Sequence, residues 1–197
     1  MMNNTQLQNS SNDLFISRFP LLWIAAVLFI SALNSHAANT EKQQLQAIEI
    51  AGISINTPPE MIAGILQAQG YTQVNASLYT KQEQLQNGRN AIFRIEIEEN
   101  TTFRQITYFR SLGGGRIKSP TARDTPVPDS DIDMAQRLYQ FICTNNSEEI
   151  QRERVCTLYT PAHISFGRGQ SIQIDDHFAA VLDATDASTT IGIKYTK

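Results

Sequence analysis

The sequence predicts an α+β fold in which two amphipathic helices pack on one face of a mainly antiparallel β-sheet. Residues 58–69 and 130–143 carry apolar side chains at helical spacing, whereas Ala91 to Glu98 alternates apolar with charged residues as a half-buried strand does. Further β-branched runs precede and follow the second helical segment, with short turn signals between them. This order favours a sheet of sequential antiparallel strands with the helices laid over it.

The first unit, from Ile48 to Tyr71, predicts a strand, a helix and a return to the sheet. Ile48 to Ile55 is rich in β-branched residues and is broken by Gly52, which indicates a bulge or a close backbone approach. Thr57 lies three residues before Glu60, the spacing of a capping box, so its hydroxyl is expected to accept a bond from the backbone N–H of residue 60. Two prolines between them suit the first helical turn.

The first predicted helix presents one apolar face and ends at a glycine. The face is formed by Met61, Ile62, Ile65 and Leu66. Gly70 can adopt the left-handed conformation that ends many helices, and Tyr71 begins the next extended segment.

These residues resemble a motif of a known class of proteins. The pattern of Gly52, Thr57-Pro58-Pro59-Glu60, Ile65-Leu66 and Gly70-Tyr71 resembles the helix opening of small exported bacterial α+β proteins. Such proteins include the outer-membrane-assembly lipoproteins of the SmpA/OmlA type and the β-lactamase-inhibitor-protein modules. The resemblance implies a non-enzymatic protein that binds another protein.

The remaining elements follow from alternation and turn residues. Ser130 is expected to cap the second helix, whose apolar face precedes Cys143, and the proline-rich residues 119–130 form a connecting loop. The residues of that face are Ile132, Ala135, Leu138, Tyr139 and Ile142. The candidate strands besides 91–98 are 71–80 with a break near Asn75, 103–112, 155–159, 171–175, 178–182 and 189–195.

The N-terminal residues 1–37 have the features of a secretory signal peptide. The apolar run from Leu21 to Leu33 is shorter than the roughly 20 residues of a comfortable membrane span, and small residues precede a cleavage position between Ala37 and Ala38. An uncleaved anchor is the alternative. Cleavage would leave residues 38–197 as a single periplasmic or secreted α+β domain, with 38–46 as a flexible lead-in and no membrane span.

Composition and charge argue against several classes of partner. A net charge of −3 does not favour nucleic acid or an anionic membrane, and 41% hydrophobic residues fall in the globular range. The two cysteines, Cys143 and Cys156, are expected to form a structural disulfide in an oxidising compartment. Two free buried thiols are the alternative.

Catalytic and metal-binding patterns are weak. His177 follows Asp175 and Asp176 and lies near Asp183, which would suit a metal site, but neighbouring residues of a strand would point to opposite faces. A solvated polar turn is the favoured interpretation. His163 has no recognisable partner in the sequence, and no serine-hydrolase or zinc-protease motif occurs. No cofactor and no metal are therefore expected.

One strand mixes cations with aromatic residues and is a candidate binding face. Arg104, Tyr108, Phe109 and Arg110 combine cations with aromatic residues on one predicted strand, and about half of these residues are expected to serve the core instead. The sequence favours an exported, non-catalytic binding protein of the bacterial envelope, whose partner is another envelope protein or a small ligand. The alternative is a small periplasmic hydrolase that uses His177 with a nearby carboxylate.

Overall fold

The protein is described by a computed structural model over residues 42–84, 90–113, 127–145, 156, 158–167 and 170–197. Almost all of this structure lies in one compact unit, Gln44–Lys197. The helices are α1 over residues 42–46, α2 Pro59–Ala68 and α3 Asp129–Asn145. The strands are β1 Thr72–Asn75, β2 Leu78–Gln84, β3 Asn90–Glu99, β4 Phe103–Gly113, β5 Leu158–Thr160, β6 His163–Ser165, β7 Ile172–Gln173, β8 Phe178–Thr185 and β9 Ser188–Thr196.

The described strands form one nine-stranded sheet, which confirms the prediction of a mainly antiparallel sheet with helices. The strand order is β1-β2-β3-β4-β9-β8-β6-β5, and β7 pairs with β8 beside β6. Every pairing of these strands is antiparallel. Because β9 inserts beside β4, the C-terminal strand joins the two halves of the sheet.

Strands β3 and β4 pair over the full length of β3, and β3 shows the alternation that its sequence predicts. Ile95 and Ile97 face the core and pair with Tyr108 and Ile106 of β4. Arg94, which precedes Ile95, lies on the opposite, exposed face. The same period of two continues into β8, where Phe178, Ala180, Leu182 and Ala184 are all buried.

Helix α3 packs across strands β6, β8 and β9. Its predicted apolar face is confirmed, since Ala135, Leu138 and Ile142 are fully buried. The predicted cap is wrong, because the helix begins at Asp129 and Ser130 lies inside its first turn. The connecting loop therefore ends earlier than predicted, and residues 119–126 lie outside the described residues.

Helix α2 ends as predicted but begins differently. The helix ends before Gly70, which has a φ of +85°. On its apolar face Ile62 and Leu66 are buried, whereas Met61 is 53% exposed and does not belong to the packed face. The capping box does not form: Pro58 is the N-cap without a side-chain bond, and the Thr57 hydroxyl instead accepts from the backbone N–H of Ser54 at 2.8 Å. The two prolines fix the backbone at this point, so a tight turn before the helix uses the hydroxyl.

The predicted strand over Ile48–Ile55 is a tight turn. Ile50 and Ile53 form an isolated bridge, and Ala51 and Gly52 between them both have positive φ. A Cβ on Gly52 would lie 2.9 Å from Nε2 of Gln69, so the expected close approach is present. Gln69 uses this nitrogen to donate to the Ala51 carbonyl at 2.9 Å, which fastens the turn to the end of α2.

Two further elements differ from the predictions. The lead-in is helical over residues 42–46 and buries Leu45, so its apolar contact stabilises a segment that its polar composition indicated as flexible. Strand β6 was not predicted, because three residues are too few for a visible alternation. Cys143 and Cys156 form the expected disulfide, with Cα atoms 5.8 Å apart.

No helix within the described ranges is long and apolar enough to cross a membrane. The expected signal peptide and its cleavage position at Ala37 and Ala38 lie outside the described residues.

Candidate functional site

A polar cleft opens where the Ile50–Ile53 turn, the end of α2 and the start of α3 meet strands β2, β3 and β4. Its volume is about 310 Å³. We call it the tyrosine cleft, and its lining residues are Glu49, Ala51, Gly52, Gln69, Tyr71, Lys81, Glu83, Phe93, Tyr108, Ser130, Asp133, Met134 and Arg137. It combines the aromatic side chains of Tyr71, Phe93 and Tyr108 with five charged side chains.

Lys81 crosses the aromatic wall of this cleft. Its Nζ lies 5.0 Å from the centre of the Tyr71 ring and 4.9 Å from the centre of the Phe93 ring. Both distances are within the range of cation–π attraction. The same nitrogen is 2.8 Å from Glu83, and the Lys81 side chain is only 19% exposed. Strand β2 places Lys81 and Glu83 on the same face, which is why one ammonium contacts both the rings and the carboxylate.

A buried polar network supports Tyr108 at the floor of the cleft. Its centre is Asp131, a residue of the first turn of α3. The Tyr108 hydroxyl donates to Oδ1 of Asp131 at 2.6 Å, and Nε of Arg110 donates to Oδ2 at 2.5 Å. Thr189 also donates to Oδ2 at 2.5 Å. Asp131 is 0% exposed, so these three bonds replace the water that the carboxylate would otherwise bind.

Arg110 completes this network on its other side. One terminal nitrogen donates to the carbonyl of Thr185 at 2.7 Å and to the hydroxyl of Thr189 at 3.1 Å, and the other donates to the carbonyl of Asp186 at 3.1 Å. The guanidinium thus joins α3 to the turn between β8 and β9. We call this set, formed by Tyr108, Arg110, Asp131 and Thr189, the Asp131 network.

Two tyrosines of the cleft have perturbed acidity. Burial raises the pKa of Tyr108 far above its ordinary value, and the adjacent negative charge of Asp131 and the hydrogen bond to it raise it further. Burial also raises the pKa of Tyr71, followed in effect by the charges of Asp131 and Glu83. Both phenols are therefore neutral hydrogen-bonding groups at physiological pH rather than nucleophiles or bases.

The three residues of the predicted binding face lie together on one face of β4, and that face is the core. Arg104, Tyr108 and Arg110 are 6%, 2% and 1% exposed. They do not form an exposed surface. Only Tyr108 lines the cleft, and Arg110 supports it from behind.

Arg104 lies apart from the cleft. Its Nη1 donates to the carbonyl of Ile55 at 2.8 Å, and its Nε is 3.5 Å from a carboxylate oxygen of Glu99. Within the described residues its Nε and Nη2 have no hydrogen-bond partner. The contacts that are present fasten the segment before α2 to the sheet.

His177 lies in the turn between β7 and β8. Its backbone N–H donates to Asp175 Oδ1 at 2.7 Å, and its Nδ1 is 2.9 Å from the carbonyl of Thr196. A carbonyl only accepts, so Nδ1 carries the proton. The ring also packs near Tyr195, at 5.9 Å between ring centres. These contacts connect the turn to the C-terminal strand.

The expectation that His163 lacks a partner is wrong. Its Nε2 lies 2.6 Å from Oδ1 of Asp183, because β6 and β8 place the two residues on the same sheet face. Ser165 is on that face as well, but it is 0% exposed and so is closed to a substrate. Among the described residues no group of three or more histidine, cysteine, aspartate or glutamate side chains could hold a metal ion.

The sequence did not indicate Lys81, Asp131 or Tyr71 as members of a site. Lys81 lies in a polar, glutamine-rich run, and Asp131 has the composition of an ordinary acidic first helical turn. One signal was available for Asp131. It lies on the same side of the predicted helix as the apolar residues Ala135 and Leu138, and a carboxylate buried on that side needs a hydrogen-bonding or charged partner.

Comparisons of the chain with protein-family models, with curated proteins and with solved structures return no significant match.

Proposed function

We propose that this chain is an exported, non-catalytic binding protein of the bacterial cell envelope and that it holds its partner at the tyrosine cleft. The observation that carries the proposal is the construction of this cleft. Its aromatic wall of Tyr71, Phe93 and Tyr108 rests on the Asp131 network, in which the buried charges are paired and hydrogen-bonded. A rigid aromatic surface at the junction of several elements is a common form of binding site, because little side-chain freedom is lost on binding.

The chemistry of the cleft residues supports binding more than catalysis. Its tyrosines have raised pKa values, so neither phenol is activated as a base or a nucleophile, and the ammonium of its lysine is paired with Glu83. The resemblance of the α2 opening to small exported binding proteins supports the same role. The disulfide between Cys143 and Cys156 is compatible with a periplasmic or secreted location.

We further propose that α2 and α3 cover the same face of the sheet and form the two sides of the cleft. Leu66 of α2 and Leu138 of α3 belong to one cluster of buried residues, which also contains Phe93 and Ile191 of the sheet. The lining residues Gln69 and Asp133 come from the end of α2 and the start of α3.

Site-directed photo-crosslinking in the envelope tests this function. A photoreactive residue at Glu49, which is exposed at the cleft, should crosslink a discrete partner. The matched control is the same residue at Gln82, which is exposed on the opposite face of the sheet. Equal crosslinking from both positions, or none from Glu49, would contradict binding at the cleft.

A further inference from the structure

We propose that the tyrosine cleft accepts an ammonium group, such as a lysine side chain of the bound protein, and that Lys81 occupies this position until the partner displaces it. The inference rests on the proposed binding function and specifies its chemistry. It begins from the placement of the Lys81 ammonium about equally far from two aromatic rings. Two converging ring faces and a carboxylate are the groups that recognise an alkylammonium.

The charges that line the cleft favour a cation over an anion. Lys81 pairs with Glu83, and Arg137 pairs with Asp133, which leaves the carboxylate of Glu49 without an ion-pair partner among the described residues. The lining carries the three carboxylates of Glu49, Glu83 and Asp133 against the two cations of Lys81 and Arg137, and the Asp131 carboxylate behind it is paired with Arg110. The excess charge of the lining is therefore one carboxylate, which favours an arriving ammonium over an anion.

The raised pKa values of the two tyrosines also favour a cationic ligand. After burial, the largest contributions to the raised pKa of Tyr71 are the negative charges of Asp131 and Glu83. A field that opposes ionisation of a phenol also opposes an anionic ligand and attracts a cationic one.

Lys81 has a route out of the cleft that does not unfold the strand. Glu83 is two residues further along the same face of β2, and its side chain is 48% exposed. Rotation about the terminal bonds of the lysine side chain can carry the ammonium away from the rings while it stays with this carboxylate. The space between Tyr71 and Phe93 is then open to a second ammonium.

Binding of a small probe tests the inference directly. The probe is Nα-acetyl-lysine amide, and the matched neutral probe is Nα-acetyl-norleucine amide, each titrated into the full chain while the tyrosine and phenylalanine ring signals are followed by NMR. The lysine probe should shift the ring signals of Tyr71 and Phe93 and bind at least threefold more tightly than the norleucine probe. Equal binding of the two probes, or tighter binding of Nα-acetyl-glutamate, would overturn the proposal.

Three variants sharpen the test. Lys81→Met removes the resident ammonium and should tighten binding of the lysine probe at least threefold. Lys194→Met is the matched control, because Lys194 makes a similar contact with Phe103, at 4.4 Å, but lies on the opposite face of the sheet. It should leave the affinity unchanged. Glu49→Gln changes an exposed residue, so it should fold normally and weaken binding at least threefold.

The outcomes separate this inference from the proposed function. Crosslinking of a partner at Glu49 without preference for the lysine probe would refute the ammonium site and leave the binding function standing. Weaker binding in Lys81→Met than in the unaltered chain would also refute it, since Lys81 would then contribute to the site rather than compete for it. Binding of the lysine probe without a crosslinked partner would support the site chemistry and refute the envelope-binding function.

Discussion

Asp131 shows how a single buried carboxylate can organise several elements. It accepts hydrogen bonds from residues of two strands. It also forms an ion pair with Arg110, in which the Asp131 side chain is 0% exposed and the Arg110 side chain 1%. A buried ion pair contributes little net stability compared with apolar residues of the same size, but the loss of one partner leaves an uncompensated charge.

Asp131→Ala should therefore lower the free energy of unfolding by about 3–5 kcal/mol, because the buried guanidinium of Arg110 loses its counter-ion. The control is Asp133→Ala, which removes only the exposed i,i+4 pair with Arg137 and should cost less than about 1 kcal/mol. Urea unfolding measures both values. Similar small losses in the two variants would show that Arg110 finds other partners.

Tyr108 leads to a prediction about alkaline pH. The pKa of its phenol is raised by burial and by Asp131, so above about pH 10 the unfolded tyrosine loses its proton while the folded one keeps it. The folded state then binds more protons, and stability falls with rising pH by up to about 1.4 kcal/mol per pH unit for this residue. Below pH 10 both states are protonated, and the contribution does not change.

Tyr108→Phe tests this dependence in urea unfolding between pH 8 and pH 11. The variant should be less stable at pH 8, because it lacks the hydrogen bond to Asp131, and its loss of stability above pH 10 should be shallower. An unchanged slope would mean that Tyr108 ionises in the folded protein as it does in the unfolded chain.

At the scale of elements, helix α2 shows how local signals and packing divide their roles. Its end is determined locally by Gly70, whereas its packing depends on Ile62 and Leu66. The start could not be predicted, because the Thr57 hydroxyl has two possible local partners and the tight turn at Ser54 takes it.

Leu66→Ala should destabilise the protein by about 2–5 kcal/mol through lost transfer energy and the cavity left behind, since Leu66 is 0% exposed. Gln67→Ala, at the neighbouring exposed position, should change stability by less than about 0.5 kcal/mol. Thermal unfolding followed by circular dichroism compares them. Equal effects would contradict the burial of this helix face.

The disulfide connects the C-terminal part of α3 with the segment before β5. Closing a loop of about 15 residues stabilises a protein by roughly 3 kcal/mol in the chain-entropy account. We expect reduction, or Cys143→Ser, to lower the melting temperature and to leave partner binding below that temperature intact, because the tyrosine cleft does not include either cysteine.

Thiol alkylation of the unreduced, denatured protein provides the direct check of the bond. No modified cysteine is expected. Two modified cysteines per chain would refute the disulfide and, with it, this argument for an oxidising compartment.

At the scale of the whole molecule, location decides which partners the cleft can meet. We predict that the exported chain is cleaved between Ala37 and Ala38, since the apolar run before this position is short and small residues flank the cut. The intact mass of the exported protein measures this. A mass that includes residues 1–37 would indicate a membrane anchor instead.

The sequence by itself determined the elements whose signals are local: the alternation of β3, the apolar face of α3 and the left-handed Gly70. Each depends on the chain within a few residues, and the spacing of side chains shows it directly. The pairing of Cys143 with Cys156 could be predicted because the chain has no other cysteine.

Only the tertiary structure decided the candidate site. Lys81 lies in β2, Asp131 in α3, and Tyr71 in the connection between α2 and β1, so only the folded chain brings them together. Arg104 and Arg110 show the reverse error, since the mix of cations and aromatic residues on one strand indicated a binding face, whereas the fold buries both arginines. Whether a strand face meets water or a helix depends on contacts between residues distant in the chain, and the period of the strand is the same in both cases.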